Sequence, residues 1–369
     1  MYTLYRIFKY SVLPFFAITI ISCSQEEEYV PIRLEDGLNA LPLSVNTPAD
    51  NPTTTEKVAL GKKLFWDPVL SGNFDVACAT CHHPDNGWGD AIDRSIGVGG
   101  IGLGTDRTGG VEVLRNAHTI INVAFNGMNE NGNYDPSDAE MFWDNRSNSL
   151  EEQALDPIMN NDEMRGDAYD EDEAIDEVSE RLANIPEYVT LFNEAFGDEA
   201  NINGENIGKA IAAYERTILA NNSRFDQFAR GDENALSDFE KTGLNAFMDM
   251  NCTACHSGPM FSDYELHDLG VPDNGVNDNG DDGEFRTPSL RNLPETGPYF
   301  HNGAFDNLTD AVNFYDDIEE NDREARRLRF DEDNTAAVVA FLRALNDTSF
   351  DTSIPESVPS GLTVGGNIE

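Results

Sequence analysis

The sequence is poor in basic residues. Lysine and arginine together number 24 against 68 aspartates and glutamates, and the formal net charge is −44. Such a surface repels phosphate backbones, so nucleic acid is excluded as a partner. A basic protein, such as a lysine-rich electron donor, would be attracted, although adaptation to salty surroundings explains the charge equally well.

Long hydrophobic runs are also missing. The apolar run at 12–21 is too short to cross a bilayer as a helix, and it leads to Cys23 in a setting that resembles a bacterial lipobox. We predict that residues 1–23 are a lipoprotein signal peptide with a lipidated Cys23; the alternative is an ordinary signal peptide. Residues 24–54 are predicted to be a polar tether. The protein would then be exported to the cell envelope or periplasm and lipid-anchored, with outer-membrane and surface-facing placements both open.

Cysteine is scarce as well, with five in 369 residues. Apart from Cys23, all of them lie in two C-x-x-C-H motifs, which comprise Cys78, Cys81, His82, Cys252, Cys255 and His256. This motif attaches c-type haem, because the two thiols reach the two vinyl groups and the adjacent histidine ligates the iron. We therefore predict two covalently bound haems c.

Three other uses of these cysteines explain less. Two disulfides would leave both histidines without a role. A zinc site would need two pairs that lie far apart in an exported chain to meet. A thioredoxin-like redox pair would need a strand-to-helix setting, which is missing around both motifs.

Strand signals are few, and helical patterns dominate. Apolar residues recur at helical spacing from Thr55 to Asp67 and at 205–219, 236–248 and 334–345. The predicted fold class is mainly α, with two cytochrome-c-like haem domains packed across a haem-bridging interface. The predicted boundaries are 55–225 for the N-terminal haem domain, 226–350 for the C-terminal haem domain and 351–369 for a polar tail.

Several short motifs accompany the two haem motifs. They are L-G-K-K-L-F at 60–65, R-N at 115–116, F-W-D-N-R at 142–146, L-E-E-Q-A at 150–154, F-R-T-P-S-L-R-N at 285–292 and P-Y-F-H at 298–301. In this order they resemble the bacterial dihaem cytochrome c peroxidases and their relative, the methylamine-utilisation enzyme MauG. The resemblance runs from about Leu60 to Leu345.

The resemblance implies a division of labour between the haems. The haem held by His82 would reduce hydrogen peroxide to water, and the haem held by His256 would accept electrons from a donor such as a c-type cytochrome. It also implies that Gln153 and Glu163 lie at the peroxide site. A carboxylate there can move the proton that cleavage of the O–O bond requires. The alternative is that Glu163 is one surface acid among several.

The resemblance implies two further features between the haems. Trp143 would relay electrons, although an ordinary core aromatic would account for the same residue. A calcium ion would be held by the Asn116 side chain and by the backbone carbonyls of Thr296 and Pro298, since calcium prefers oxygen ligands.

The chain departs from the peroxidase pattern at two positions. Val98 stands where many relatives have a histidine that blocks the peroxidatic iron until the enzyme is reduced, and His118 is the only nearby substitute. Tyr315 stands where the second haem usually has a methionine ligand, and MauG uses a tyrosine there. Met260 follows His256 too closely in sequence to reach the opposite face of that haem.

These observations together predict a dihaem c-type cytochrome peroxidase. One alternative is a MauG-like oxidase that modifies a partner protein, which the two departures fit. The other is a non-enzymatic dihaem electron carrier, which would have no use for Gln153 and Glu163. A homodimer is retained as an alternative to a monomer.

Overall fold

A computed structural model describes residues 32–275, 278, 283–318 and 328–369. The predicted signal peptide, with Cys23, lies outside the described residues. Within these ranges no helix is both long enough and apolar enough to cross a membrane.

The described chain is mainly helical, which confirms that part of the predicted fold class. The α-helices are α1 (Thr55–Trp66), α2 (Cys78–Cys81), α3 (Leu150–Gln153), α4 (Asp156–Met159), α5 (Ala174–Ala183), α6 (Pro186–Phe196), α7 (Gly204–Glu215), α8 (Arg224–Ala229), α9 (Asp238–Asp249), α10 (Leu308–Asp317) and α11 (Thr335–Arg343). A π-helical turn spans Asn161–Arg165. Short 3-10 turns include Cys252–Ala254 and Leu293–Glu295.

The strands are only two residues long. They form two antiparallel ribbons, which pair β1 (Gly100–Ile101) with β2 (Thr108–Gly109) and β3 (Leu266–His267) with β4 (Phe285–Arg286).

Two helix pairs repeat the same packing unit, one in each half of the chain. In α1, a Cβ on Gly61 would lie 1.9 Å from the carbonyl oxygen of Ala210 in α7. In α9, a Cβ on Gly243 would lie 1.9 Å from the carbonyl oxygen of Ala337 in α11. Only glycine permits so close a helix approach. In each pair, one helix precedes a C-x-x-C-H motif in the sequence and the other follows it.

The four predicted helices are present, with ends that differ by a few residues. The largest difference is in α7, which ends at Glu215 rather than at 219. Beyond Glu215 the backbone forms hydrogen bonds with Asn122. The Ile218 carbonyl accepts from the Asn122 amide at 2.9 Å, and the Ala220 amide donates to the Asn122 side-chain oxygen at 2.8 Å. A tertiary hydrogen bond thus replaces the last helical turn.

The segment predicted as a polar tether needs correction over its described C-terminal part. Leu38 and Leu41 are buried, and the Leu41 amide donates to the Asp226 carboxylate at 2.9 Å. The Asp36 carbonyl accepts from the Gly258 amide at 3.0 Å. Residues 36–54 therefore pack on the body of the protein, because two leucines three residues apart supply an apolar face that composition alone did not reveal.

The segment predicted as a polar tail also packs on the body, against the first haem motif. Gly366 pairs with Val76 in an antiparallel bridge, and the Gly365 amide donates to the Trp66 carbonyl at 2.8 Å. The Thr80 hydroxyl donates to the Gly365 carbonyl at 2.8 Å. Residues 351–369 are polar as predicted, but their backbone forms hydrogen bonds with the N-terminal half of the chain near the first haem motif.

Candidate active site

The first C-x-x-C-H motif forms the short helix α2. The Ala77 amide that precedes it donates to the Thr80 hydroxyl at 2.9 Å, which fixes the start of the turn. The His82 amide closes the turn on the Cys78 carbonyl at 3.0 Å. The ring Nδ1 of His82 lies 3.2 Å from the Trp88 carbonyl. This contact places the proton on Nδ1 and leaves Nε2 as the free ligand atom.

The second motif repeats this arrangement on the 3-10 turn Cys252–Ala254. The His256 amide donates to the Cys252 carbonyl at 2.9 Å, and the ring Nδ1 of His256 lies 3.0 Å from the Phe261 carbonyl. Burial lowers the pKa of both His82 and His256, which favours the neutral imidazole that a metal ligand requires. None of the four motif cysteines forms a disulfide in the described structure.

Both motifs open into one cavity of about 770 Å³. Two polar nitrogens on its wall, Nε2 of His118 and Nε of Arg286, are shielded from solvent and have no hydrogen-bond partner among the described residues. Buried polar atoms are normally paired, so each indicates a group that occupies the cavity. Free thiols, neutral histidines and unpaired nitrogens facing one cavity fit two c-type haems, whose carboxylates are hydrogen-bond acceptors.

Gln153 and Glu163 line the same cavity as His82. Gln153 ends α3, and Glu163 lies in the π-helical turn. Asn160 caps that turn: its side-chain oxygen accepts from the amides of residues 162 and 163, and its Nδ2 donates to the Glu163 carboxylate at 3.0 Å. Glu163 is half-buried, and its carboxylate is held by its own turn.

The charge state of Glu163 is set by its surroundings. Burial raises its pKa above the ordinary value, while the positive charge of Arg146 acts in the opposite direction. Arg146 also lines the cavity, stacks on Phe142 at 3.4 Å from the ring centre and forms an ion pair with Asp144 at 2.9 Å. A carboxyl with a raised pKa in a cleft has the properties of a proton-transfer group.

Trp143 lies in the cavity wall between groups from both halves of the chain. Its indole N–H donates to the Asn116 carbonyl at 3.0 Å, and its own carbonyl accepts from the Arg286 amide at 2.7 Å. One ring face stacks on His118 with centroids 3.9 Å apart and planes 28° apart. The His301 ring meets it edge-on at 6.4 Å. The indole is fixed at its edge and on its face.

The three predicted calcium ligands also line this cavity. Asn116 donates through its side-chain Nδ2 to the Ile92 carbonyl at 2.8 Å, which leaves its side-chain oxygen for another partner. Thr296 and Pro298 follow the 3-10 turn at Leu293–Glu295 and reach the cavity wall. The donor set contains only oxygen atoms, which is what calcium binds.

One buried carboxylate in the cavity wall was not predicted from the sequence. Glu215 ends α7, lines the cavity and has an Oε2 without a partner in the described part of the chain. Burial raises its pKa to about 8. Its neighbour Arg216 instead pairs with Glu151 at 2.6 Å. The only sequence signal was a charged pair at the end of an apolar helix face, which is too common to single out a site.

Comparisons with known proteins place this geometry in a family. The family model described as di-haem cytochrome c peroxidase matches residues 55–234. The methylamine utilization protein MauG of Methylorubrum extorquens strain AM1 is 37% identical over 286 residues, which cover 74% of this chain and 72% of the relative. The chain belongs to the di-haem cytochrome c peroxidase family. It is therefore a haem-dependent oxidoreductase with two haem cofactors, as the sequence predicted.

Further matches cover both branches of the family. The cytochrome c551 peroxidase of Pseudomonas aeruginosa strain PAO1 is 34% identical over 322 residues, covering 83% of each chain. Among solved structures, a MauG-like protein associated with microbial copper homeostasis matches with a TM-score of 0.67 and 25% identity, over 82% of this chain and 93% of that one. Relatives named as peroxidases and relatives named MauG are thus similar to this family member to nearly the same degree.

The two departures from the peroxidase pattern lie as follows in this family member. Val98 is buried, and its amide donates to the Asp162 carbonyl at 3.2 Å, beside the turn that carries Glu163. Tyr315 and Met260 both line the cavity that holds His256. Burial raises the pKa of Tyr315, with the neighbouring Cys252 and Cys255 adding to the effect.

Two histidines near the first motif have other contacts. His83 is buried, accepts from the Asp85 amide at 3.2 Å and packs edge-on against Trp66. The His118 ring is stacked on Trp143, and His118 lines the same cavity as His82.

Proposed function

We propose that this enzyme reduces hydrogen peroxide to water at the haem held by His82, with electrons that a donor protein delivers to the haem held by His256. The observation that carries the proposal is the meeting of Gln153 and Glu163 with the first haem motif in one cavity. When bound, the haem supplies the iron that takes peroxide and passes two electrons to it.

The chain's own residues supply proton transfer and positioning. Glu163 accepts the proton of the oxygen nearer the iron and delivers it to the departing oxygen, which leaves as water. Gln153, which lines the same cavity, orients peroxide by hydrogen bonding. Arg146 counteracts the effect of burial on the pKa of Glu163, which favours the basic form of the carboxyl.

Trp143 is proposed to relay electrons between the haems. It is buried, it lines the cavity into which both haem motifs open, and its N–H donates to the Asn116 carbonyl. Asn116, Thr296 and Pro298 are proposed to hold one calcium ion beside it. Tyr315 is proposed as the second axial ligand of the haem held by His256.

The organisation of the whole protein follows from the same argument. Residues 55–225 and 226–350 are proposed as the peroxidatic and electron-transfer haem domains, in line with the repeated packing of Gly61 and Gly243. Export to the periplasm or cell envelope, with lipid attachment at Cys23, agrees with a haem that is attached to cysteine outside the cytoplasm. A homodimer is a further arrangement to be tested by light scattering.

Peroxide turnover tests the proposal directly. The protein loaded with both haems should consume peroxide in the presence of a reduced c-type cytochrome, with two donor molecules oxidised for each peroxide. A protein that exchanges electrons with the donor but leaves peroxide intact would be a carrier, and the proposal would be wrong.

A MauG-like oxidase is the second candidate, because Val98 and Tyr315 depart from the peroxidase pattern in the direction of MauG. Peroxide would then be consumed with slow donor oxidation, and a co-purifying protein would acquire an oxidative cross-link or hydroxylation. Mass spectrometry of such a partner before and after peroxide treatment separates the two enzymes.

A further inference from the structure

His118 makes the closest ring contact of Trp143. The imidazole and indole planes are 28° apart, with centroids separated by 3.9 Å, whereas His301 meets the indole edge-on at 6.4 Å. Face-to-face contact of this kind fixes ring orientation and places two π-systems in direct contact. His118 therefore controls one face of Trp143, while the Asn116 carbonyl controls its edge.

His118 also lines the haem cavity. Its Nε2 is shielded from solvent and lacks a hydrogen-bond partner among the described residues. Arg286, whose positive charge acts on the His118 ring, lines the same cavity and cannot accept a hydrogen bond. A haem carboxylate is an acceptor that the cavity would supply once it is filled.

His118 and His82 line the same cavity, so the ring that stacks on Trp143 belongs to a residue in the wall of the pocket that the first haem motif opens into.

We propose that His118 is a positioning residue that couples the Trp143 ring to the haem held by His82, with its ring face on the indole and its Nε2–H directed to a haem carboxylate. The inference rests on the proposed function, in which Trp143 relays electrons. The electron comes from the donor protein, passes from the second haem through Trp143 and ends on the first haem. His118 itself is neither oxidised nor reduced.

Two variants separate the two contacts. His118→Phe keeps an aromatic ring for stacking and removes the hydrogen-bond donor. His118→Gln keeps a donor and removes the aromatic ring. Both are studied as the protein carrying two haems, by redox titration of the first haem and by the rate of electron transfer between haems after rapid mixing of the half-reduced protein with peroxide.

The expected results differ between the variants. In His118→Phe the midpoint potential of the first haem falls, because an unpaired carboxylate stabilises the oxidised iron, and the transfer rate stays near wild type. In His118→Gln the potential is kept and the transfer rate falls by roughly 2- to 10-fold, because loss of one aromatic pair lowers the population of the correctly oriented indole by about that factor. In a Trp143→Phe background, His118→Gln should slow transfer no further.

A purely structural role gives another pattern. If His118→Gln slows transfer equally with and without Trp143, or if both variants keep the wild-type potential and rate, the inference is wrong. Redox titration needs no turnover, so it reports on His118 even if the protein fails to reduce peroxide. Failure of the proposed function would instead appear as an absence of peroxide consumption in the wild type.

Discussion

Replacing Glu163 by glutamine tests the assignment of the proton-transfer group. In the wild type, Asn160 Nδ2 donates to the Glu163 carboxylate at 3.0 Å. Glutamine keeps the shape of the side chain and an oxygen that can accept this hydrogen bond, so the π-helical turn should persist. What is lost is the base. General acid–base groups contribute about 10²- to 10⁴-fold to rate, and we expect Glu163→Gln to lower peroxide turnover by roughly that factor.

The pH dependence follows from the raised pKa of Glu163. The basic carboxylate is lost as pH falls through that pKa, so wild-type turnover should decline on the acid side at a higher pH than an ordinary glutamate would give. Arg146→Met removes a charge that lowers this pKa and should move the decline to still higher pH. Steady-state turnover between about pH 4 and pH 8 measures both effects.

Asp162→Asn is the matched control. Asp162 is the adjacent, exposed acid, and its backbone carbonyl, which receives the Val98 amide, is unchanged by the substitution. We expect near-normal turnover and a slightly lower acid limit, since Asp162 raises the pKa of Glu163. If Glu163→Gln, with both haems in place, turned over as fast as this control, Glu163 would not be the proton-transfer group.

Three further predictions concern other parts of the molecule. Trp143→Phe should slow electron transfer between the haems and leave the initial reaction with peroxide unchanged, as followed by stopped-flow absorbance; equal rates would remove the relay role. Tyr315→Phe should convert the haem held by His256 from six-coordinate to five-coordinate, and an unaltered spin-resonance signal would show that the tyrosine is not a ligand. Arg291→Met should lower the free energy of unfolding by about 3–5 kcal/mol in denaturant titration of the loaded protein, because Arg291 and Asp226 form a fully buried pair at 2.9 Å. The control Lys62→Met breaks a partly exposed pair with Asp351 and should lower it by about 0–1 kcal/mol. Similar losses for both variants would contradict the reasoning.

The helices were predictable because their apolar residues recur at helical spacing. Local patterns failed where the partner is distant in sequence. The last turn of α7 is replaced by bonds to Asn122, and no pattern near Ile218 reveals this. The two-residue strands are too short to show an alternation, so the sequence could not indicate β1 or β3.

The packing of the polar segments could not be predicted from their composition. The tail at 351–369 is polar in composition, yet Gly365 and Gly366 bond through their backbones to the chain around the first haem motif. Backbone hydrogen bonds leave almost no trace in composition, because every residue except proline has the same donor and acceptor. Residues 36–54 packed for a different reason, the burial of Leu38 and Leu41.

The candidate site divides in the same way. The haem motifs and the residues Gln153, Glu163 and Trp143 were predictable from motif and resemblance, and all line one cavity. The stack of His118 on Trp143 was not predictable, because the two positions are 25 residues apart in the sequence and no helical or strand period connects them. Glu215 was not predicted because the feature that distinguishes it is the burial of its carboxylate, and the sequence around a single charged residue does not indicate burial.

Spin resonance of the fully oxidised protein tests the central claim most directly. Many relatives rest with a histidine on the peroxidatic iron and must be reduced before peroxide can bind, which requires a loop with two states. Here Val98 occupies that position and is buried, while His118 is stacked on Trp143. We predict a high-spin signal from the haem held by His82 in the oxidised resting enzyme. A low-spin signal with two histidine ligands from that haem, lost in His118→Gln, would contradict the account.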